Sequence, residues 1–228
     1  MQDPSEADTI TEPTGRRERK KLLTRLELLA AGRRLFAEQG LYEARIEDVS
    51  QSAGVAKGTL YGYFRSKEQL AFEVVSLGFH DLQRQVRASL GRTTQPAERI
   101  ERILRAHVEF FSRNDDLVRV FHQMRGVLKF NRPEWRPLRR VLAHHIQFLA
   151  DQLQQRSGRE GRQLAVHQAR TLFGSLSGIL SVHVSLDPHS RRPWMSRHLV
   201  RGVAHLIRTL DPDDLPKPAA RPAKGPAM

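Results

Sequence analysis

Between an amphipathic stretch at residues 46–53 and a second at 57–63, the chain has only Gly54, Val55 and Ala56 in which to change direction. A connection that short makes two helices cross steeply, and the crossing limits side-chain size on both sides. Ile46, Val49 and Ala53 supply an inward face for the first helix, and Ala53 is small enough for close approach. Gly54 can take the positive φ that a Cβ would penalise. Val55 plugs the turn, and Leu60 and Phe64 give the second helix a buried side.

The side chains left on the second helix suit the major groove of a duplex. Lys57 and Thr59 lie at its N-terminus, where free amides and the positive end of the helix dipole favour phosphate. Tyr61 and Tyr63 can each offer a ring to a thymine methyl and a hydroxyl to a phosphate, although either alone also fits local packing. Lys67 opens the next helix, again within reach of phosphate.

Elsewhere apolar residues recur at helical spacing, and strand-like alternation is nearly absent, so the fold class expected is all-α. Punctuation predicts about nine helices: about 17–39, ending at Gly40; 46–53; 57–63; 66–90, opened by a Ser66/Gln69 capping box; 96–112; 116–130; 137–156; 162–186; and 193–210. Leu22, Leu26, Leu29 and Phe36 are expected on one face of the first. Polar, Pro-containing tails at 1–15 and 211–228 read as disordered, leaving an amino-terminal three-helix unit at 16–65 and a larger helical unit at 66–210.

With 228 residues, 39% of them apolar, the chain can fill a core. No run of about 18 apolar residues offers a bilayer span, and the acidic, Pro-containing start lacks a signal peptide's hydrophobic stretch, so a cytoplasmic protein is expected. The absence of cysteine excludes disulfides, thiolate metal sites and cysteine nucleophiles. The net charge is +13, yet residues 1–70 carry 12 Lys and Arg against 11 Asp and Glu, so the excess lies beyond the helix pair. The one strongly basic run near the amino end is RRERKKLLTR, residues 16–25, which suits either a phosphate-steering arm or a solvated helix end.

The segments LLAAGRRLFAEQG and IEDVSQSAGVAKGTLYGYFRSKEQL, within residues 17–75, resemble the DNA-binding domain of the TetR (tetracycline-repressor) family of bacterial transcription regulators. The resemblance implies an α-helical homodimer on a palindromic operator, usually a repressor, released when a small molecule enters the carboxy-terminal domain. It puts DNA contacts on Lys57, Thr59, Tyr61, Tyr63 and Lys67, with Gly58 permitting close backbone approach. Three departures stand out. Ala44 and Arg45 replace the usual hydroxyl at the start of the second helix, and Arg45 is expected to reach a phosphate instead. Ala56 replaces the serine that caps the recognition helix, a loss of about 1 kcal/mol. Gly62 stands where many members carry a large side chain.

In the larger unit, Gly174, Ser177, Gly178 and Ser181 recur at three- and four-residue spacing, and with Val203, Leu206 and Ile207 they form the candidate dimer interface, unless the same residues serve packing within one chain. Candidate ligand contacts are His107, Phe111, Phe121, His122, Arg125, Phe148, Phe173 and His183, apolar walls with a few polar groups, and Gln123 is a further polar candidate. His144 and His145 point to different faces and make a poor metal pair. No metal motif, phosphate loop or nucleophile–base spacing is visible, so neither metal nor cofactor is expected. The alternatives weighed are an all-α enzyme with an incidental helix-turn-helix and a sequence-indifferent architectural DNA-binding protein.

Overall fold

The computed structural model describes residues 15–127, 135–154, 158–186 and 197–210, with the side chains of 125–127 and 185 excepted. Among them are nine helices and no strand: α1 (Arg16–Gln39), α2 (Ile46–Ser52), α3 (Lys57–Tyr63), α4 (Lys67–Leu90), α5 (Pro96–Arg113), α6 (Asp115–Val127), α7 (Arg136–Leu153), α8 (Gly158–Leu186) and α9 (Arg197–Arg208). None is long and apolar enough to cross a membrane. α8 begins four residues before its expected start. The expected extensions to 130 and 156, the start at 193 and the two tails, apart from Gly15, lie outside the described residues.

Local chemistry accounts for the boundaries. Gly40 ends α1 with φ 96°. Ser66 caps α4 by accepting from the Gln69 amide at 3.2 Å, while Gln69 Oε1 accepts from the Arg65 amide at 2.8 Å, a capping box displaced by one residue on its return bond. Pro96 sits in the first turn of α5 and Pro137 in that of α7, where a missing N–H costs nothing.

The inward face of α1 is not the one expected. Leu28, Leu29, Ala31, Gly32 and Phe36 are buried, Leu22 is half-buried and Leu26 is exposed. The face centres on Gly32, and at about 100° per residue Leu26 lies about 120° round from it. Gly32 is there for contact: a Cβ would stand 2.9 Å from Leu70 Cδ2, so α1 and α4 cross almost backbone to side chain.

α4 is the axis of the molecule, packed against α1, α5, α6 and α7. Its crossing with α6 is tighter still, since a Cβ on Gly78 would fall 2.3 Å from Leu117 Cδ2. The core runs unbroken from Leu28 to Ile207. α6 is also tied to α1 by polar bonds. Arg33 holds Asp116, and Gln123 reaches the end of α1, accepting from the Leu41 amide at 2.6 Å and donating to the Phe36 carbonyl at 3.2 Å. Gln123 therefore closes α1 instead of lining an interior pocket.

Candidate nucleic-acid interface and interior site

The α2–α3 turn is a Schellman motif. The Gly54 amide donates to Gln51 O and the Val55 amide to Ser50 O, both at 3.0 Å, and Gly54 takes φ 67°. The three-residue turn thus ends α2, satisfies its last carbonyls and reverses the chain, with Val55 packed on the core.

α3 is held by one fully buried side chain, Leu60, and by Phe64 just beyond its end. Its other face is bare: Lys57, Gly58, Thr59, Tyr61 and Gly62 are exposed, and a Cβ built on either glycine meets nothing within 4 Å. The two tyrosines part company. Tyr61 is 46% exposed, whereas Tyr63 is half-buried against the core, its ring 6.4 Å from that of Phe64. Neither α2 nor α3 has a side-chain cap at Arg45 or Ala56, and Arg45 is exposed.

The ammonium groups are engaged within the chain. Lys57 Nζ pairs with Glu47 Oε1 at 2.6 Å and lies 6.0 Å from the centre of the Tyr61 ring. The hydrogen bond to Lys57 holds the Glu47 carboxyl below its usual range, and the same bond holds the Lys57 ammonium above its own. Lys67 Nζ donates to the carbonyls of Tyr42 at 2.8 Å and Ala44 at 3.0 Å, tying the α1–α2 loop to α4. An ammonium has three donors, and among the described residues two of them are used here. In the basic run, Arg25 bonds to Glu73 on α4 and lies over the Phe64 ring, so it braces the end of α3 against α4.

In the carboxy-terminal bundle the structure brings together His107, Phe111, Phe121, Phe148 and Phe173 from the expected set, around two residues that the expectation omitted, Phe79 and His145. His107 and His145 are fully buried, their Nε2 atoms 3.2 Å apart. His107 Nδ1 lies 2.8 Å from the Ile103 carbonyl. Burial pushes the His107 imidazole down to about 4 and holds His145 well below its ordinary value. The signal for His145 was present: with Leu138, Phe148, Leu149 and Leu153 it completes the buried stripe of α7.

The other candidates do not join this group. The Arg125 side chain lies outside the described residues, and His122 and His183, both half-buried, make no ring contact with the cluster among the described residues. Phe111 and Phe121, with Phe79 and Gly78, surround a void of about 10 Å³, the limit for one water. A larger cavity of about 230 Å³ opens between α4 and α7, lined by Phe72, Phe79, His80, Gln83, Arg140 and His144 among others. Phe79 belongs to both spaces.

On α8, Gly174 is exposed and Ser177, Gly178 and Ser181 are half-buried, and a Cβ on Gly174 or Gly178 meets nothing within 4 Å. Among the described residues, Gly174 and Gly178 therefore have no close neighbour that requires their small size. Val182, Leu186, Leu199 and Leu206 extend apolar surface on α8 and α9 at 58%, 80%, 47% and 49% exposure. Ile207 is corrected: it is fully buried, and its carbonyl accepts from Gln168 Nε2 at 3.2 Å. On α9 the inward stripe is Val200, Ala204 and Ile207; Leu206 faces out and Val203 lies between.

Residues 28–74, which span the α1 core face, the crossed pair and the start of α4, match the family described as bacterial regulatory proteins, tetR family. The HTH-type transcriptional repressor KstR2 of Mycolicibacterium smegmatis is 32% identical over 102 residues, 45% of this chain and 46% of that protein. The HTH-type transcriptional regulator BetI of Agrobacterium fabrum is 33% identical over 90 residues, 40% and 43% of the two chains. The matches thus span less than half the length of these relatives. Over the whole bundle the fold is similar to that of FadR from Bacillus subtilis, solved in complex with stearoyl-CoA, with a TM-score of 0.67, 17% identity, and 81% and 97% of the two chains covered. The Schellman turn and the bare face of α3 thus lie within a segment, residues 28–74, that matches the tetR family of bacterial regulatory proteins, and the bundle shares its fold with FadR.

Proposed function

We propose that this protein is a homodimeric, cytoplasmic transcriptional repressor, not an enzyme, whose residues 16–65 bind a palindromic operator and whose residues 66–210 dimerise and bind a small molecule that releases the DNA. The observation that carries the reading is the outer face of α3. A seven-residue helix whose one fully buried side chain is Leu60, with glycines at 58 and 62 and Lys57, Thr59 and Tyr61 outward, is shaped for another surface to lie against it. In the groove, Tyr61 offers its ring to a base edge and Thr59 its hydroxyl to a phosphate. Arg45 and Lys67 flank them, and the half-buried Tyr63 contributes its hydroxyl at the rim.

Two such helices must stand about 34 Å apart, or a multiple of that, to enter successive grooves. The open face of α8 and α9, with Gly174, Ser177, Gly178, Ser181, Val203 and Leu206, is the surface we assign to the partner copy. Its small residues permit close helix approach, and its exposed leucines supply apolar area.

Release follows from linkage: a ligand that binds better to a conformation with misaligned α3 helices must weaken operator binding by the same factor. α4 transmits the change, since it touches α1 at Gly32–Leu70 and α6 at Gly78–Leu117. That a regulator of this fold was solved with stearoyl-CoA supports an interior ligand here as well.

The test is titration of the purified protein against labelled duplex from the region upstream of its own gene and against a shuffled duplex, with mass measured by light scattering. A dimer that prefers the native fragment at moderate salt is expected. A monomer, or equal affinity for both duplexes, overturns the proposal.

A further inference from the structure

The buried histidine pair has a hydrogen-bonding direction that can be worked out atom by atom. A carbonyl only accepts, so the 2.8 Å contact from His107 Nδ1 to Ile103 O puts a proton on that nitrogen. The ring is neutral at pH 7, because burial holds it down to about 4, and its Nε2 therefore carries a lone pair. Facing it at 3.2 Å, His145 Nε2 must be the donor. His145 is neutral as well, which leaves its Nδ1 as an acceptor. That acceptor is buried and has no hydrogen-bond partner among the described residues.

An unpaired buried acceptor is costly, and native proteins seldom leave one without a use. Its surroundings fix what can satisfy it. The His145 ring sits among Phe79, Phe173 and Phe148, at centroid distances of 4.9, 5.3 and 6.1 Å. Such a wall favours a flat, apolar body and disfavours a charged one. We infer that this bundle binds a neutral, largely apolar hydroxyl compound, a phenol or comparable alcohol, which donates its O–H to His145 Nδ1. A carboxylate cannot donate there, and an ether or hydrocarbon leaves the acceptor unpaired.

Phe79 supplies the route. It lines the cavity of about 230 Å³ between α4 and α7 and also the void of about 10 Å³ deeper in, and it touches His145 from the same position. The cavity alone falls short of the roughly 300 Å³ at which ligand pockets begin. A turn of the Phe79 side chain would join the two spaces beside the imidazole, next to the Gly78–Leu117 contact of α4 with α6. The inference deepens the proposal that the bundle holds a releasing ligand and rests on it for its biological meaning.

The test uses the full chain without DNA and three matched probes, 2-naphthol, 2-methoxynaphthalene and naphthalene, with binding measured by calorimetry. The expected result is that 2-naphthol binds about tenfold or more tighter than the other two. The preference vanishes in His145→Phe, which keeps a ring and removes the acceptor. In the unaltered protein, ¹⁵N NMR of the histidine side chains gives a readout that no variant can spoil: the lone-pair nitrogen of His145 moves into the hydrogen-bonded range on adding 2-naphthol and stays put with 2-methoxynaphthalene. Equal binding of the three probes, no binding of 2-naphthol up to its solubility, or a His145 Nδ1 signal already hydrogen-bonded and unmoved overturns the inference. Operator release is measured separately. Hydroxyl-selective binding without release keeps the site and removes its proposed role, while release by a compound with no hydroxyl preference does the reverse.

Discussion

Arg33 on α1 grips Asp116 on α6 by both carboxylate oxygens, Nε to Oδ2 at 2.7 Å and Nη2 to Oδ1 at 2.5 Å, and the same Nη2 donates to Asn114 Oδ1 at 2.8 Å. Forked pairing of this kind fixes orientation as well as distance. With Gln123 bridging to Leu41 and Phe36, it makes α6 the second strut, after α4, between the α1–α3 unit and the bundle.

Asp116→Asn should remove the charge and one acceptor of the fork. The pair is part-exposed, so the stability loss is modest, about 1 kcal/mol. Thermal unfolding gives that number. In the regulator reading, operator affinity without ligand changes little while the ligand-induced drop shrinks, because one strut no longer moves with α6.

Gly78→Ala places a methyl where Leu117 already stands. The helices must part or the leucine must repack, at a cost of about 1–3 kcal/mol. Denaturant unfolding measures it, and Gly202→Ala on α9, where a Cβ meets nothing within 4 Å, is the control expected to leave stability unchanged or raised.

How much of this was legible beforehand differs by region. The α2–α3 pair could be read because its limits are local: a three-residue turn, one positive-φ glycine, Leu60 and Phe64 inward. Face assignment on α1 failed because Leu22, Leu23, Leu26, Leu28 and Leu29 surround the helix, and the choice among them was made by Leu70 lying against Gly32, a contact 38 positions away that periodicity cannot see. His145 is legible as an interior residue from its stripe on α7, but its pairing with His107 is not, because that partner lies 38 positions away on another helix. Ile207 failed in the opposite direction. On a short helix with apolar residues on both sides, only the packing of Gln168 and the bundle shows which side is inward.

Glu47→Gln should release Lys57 from its pair and weaken the hold on the ammonium while leaving it charged at pH 7. The carboxylate also repels phosphate. The expected outcome is tighter binding to every duplex, native and shuffled alike, with a steeper dependence on salt. Anisotropy titrations at several salt concentrations check both.

Acid should destabilise the bundle through His107. Its folded-state value of about 4 lies below the 6.5 of the unfolded chain, so between these values the unfolded chain holds more protons. The contribution is present in full above pH 6.5 and is lost as pH falls toward 4, by on the order of 3 kcal/mol; His145 acts in the same direction. Urea midpoints at pH 7, 6 and 5 should fall steadily, and His107→Gln should flatten the decline.

The central claim is that the exposed side of α3 reads a duplex. It is met most directly by measuring the affinity of Tyr61→Ala, against the unaltered protein, for the native upstream fragment and for shuffled duplex at one moderate salt concentration. The account predicts a loss of about tenfold on the native fragment and almost none on the shuffled one, as removal of a base contact requires. Equal affinities for the two proteins on the native fragment would contradict it.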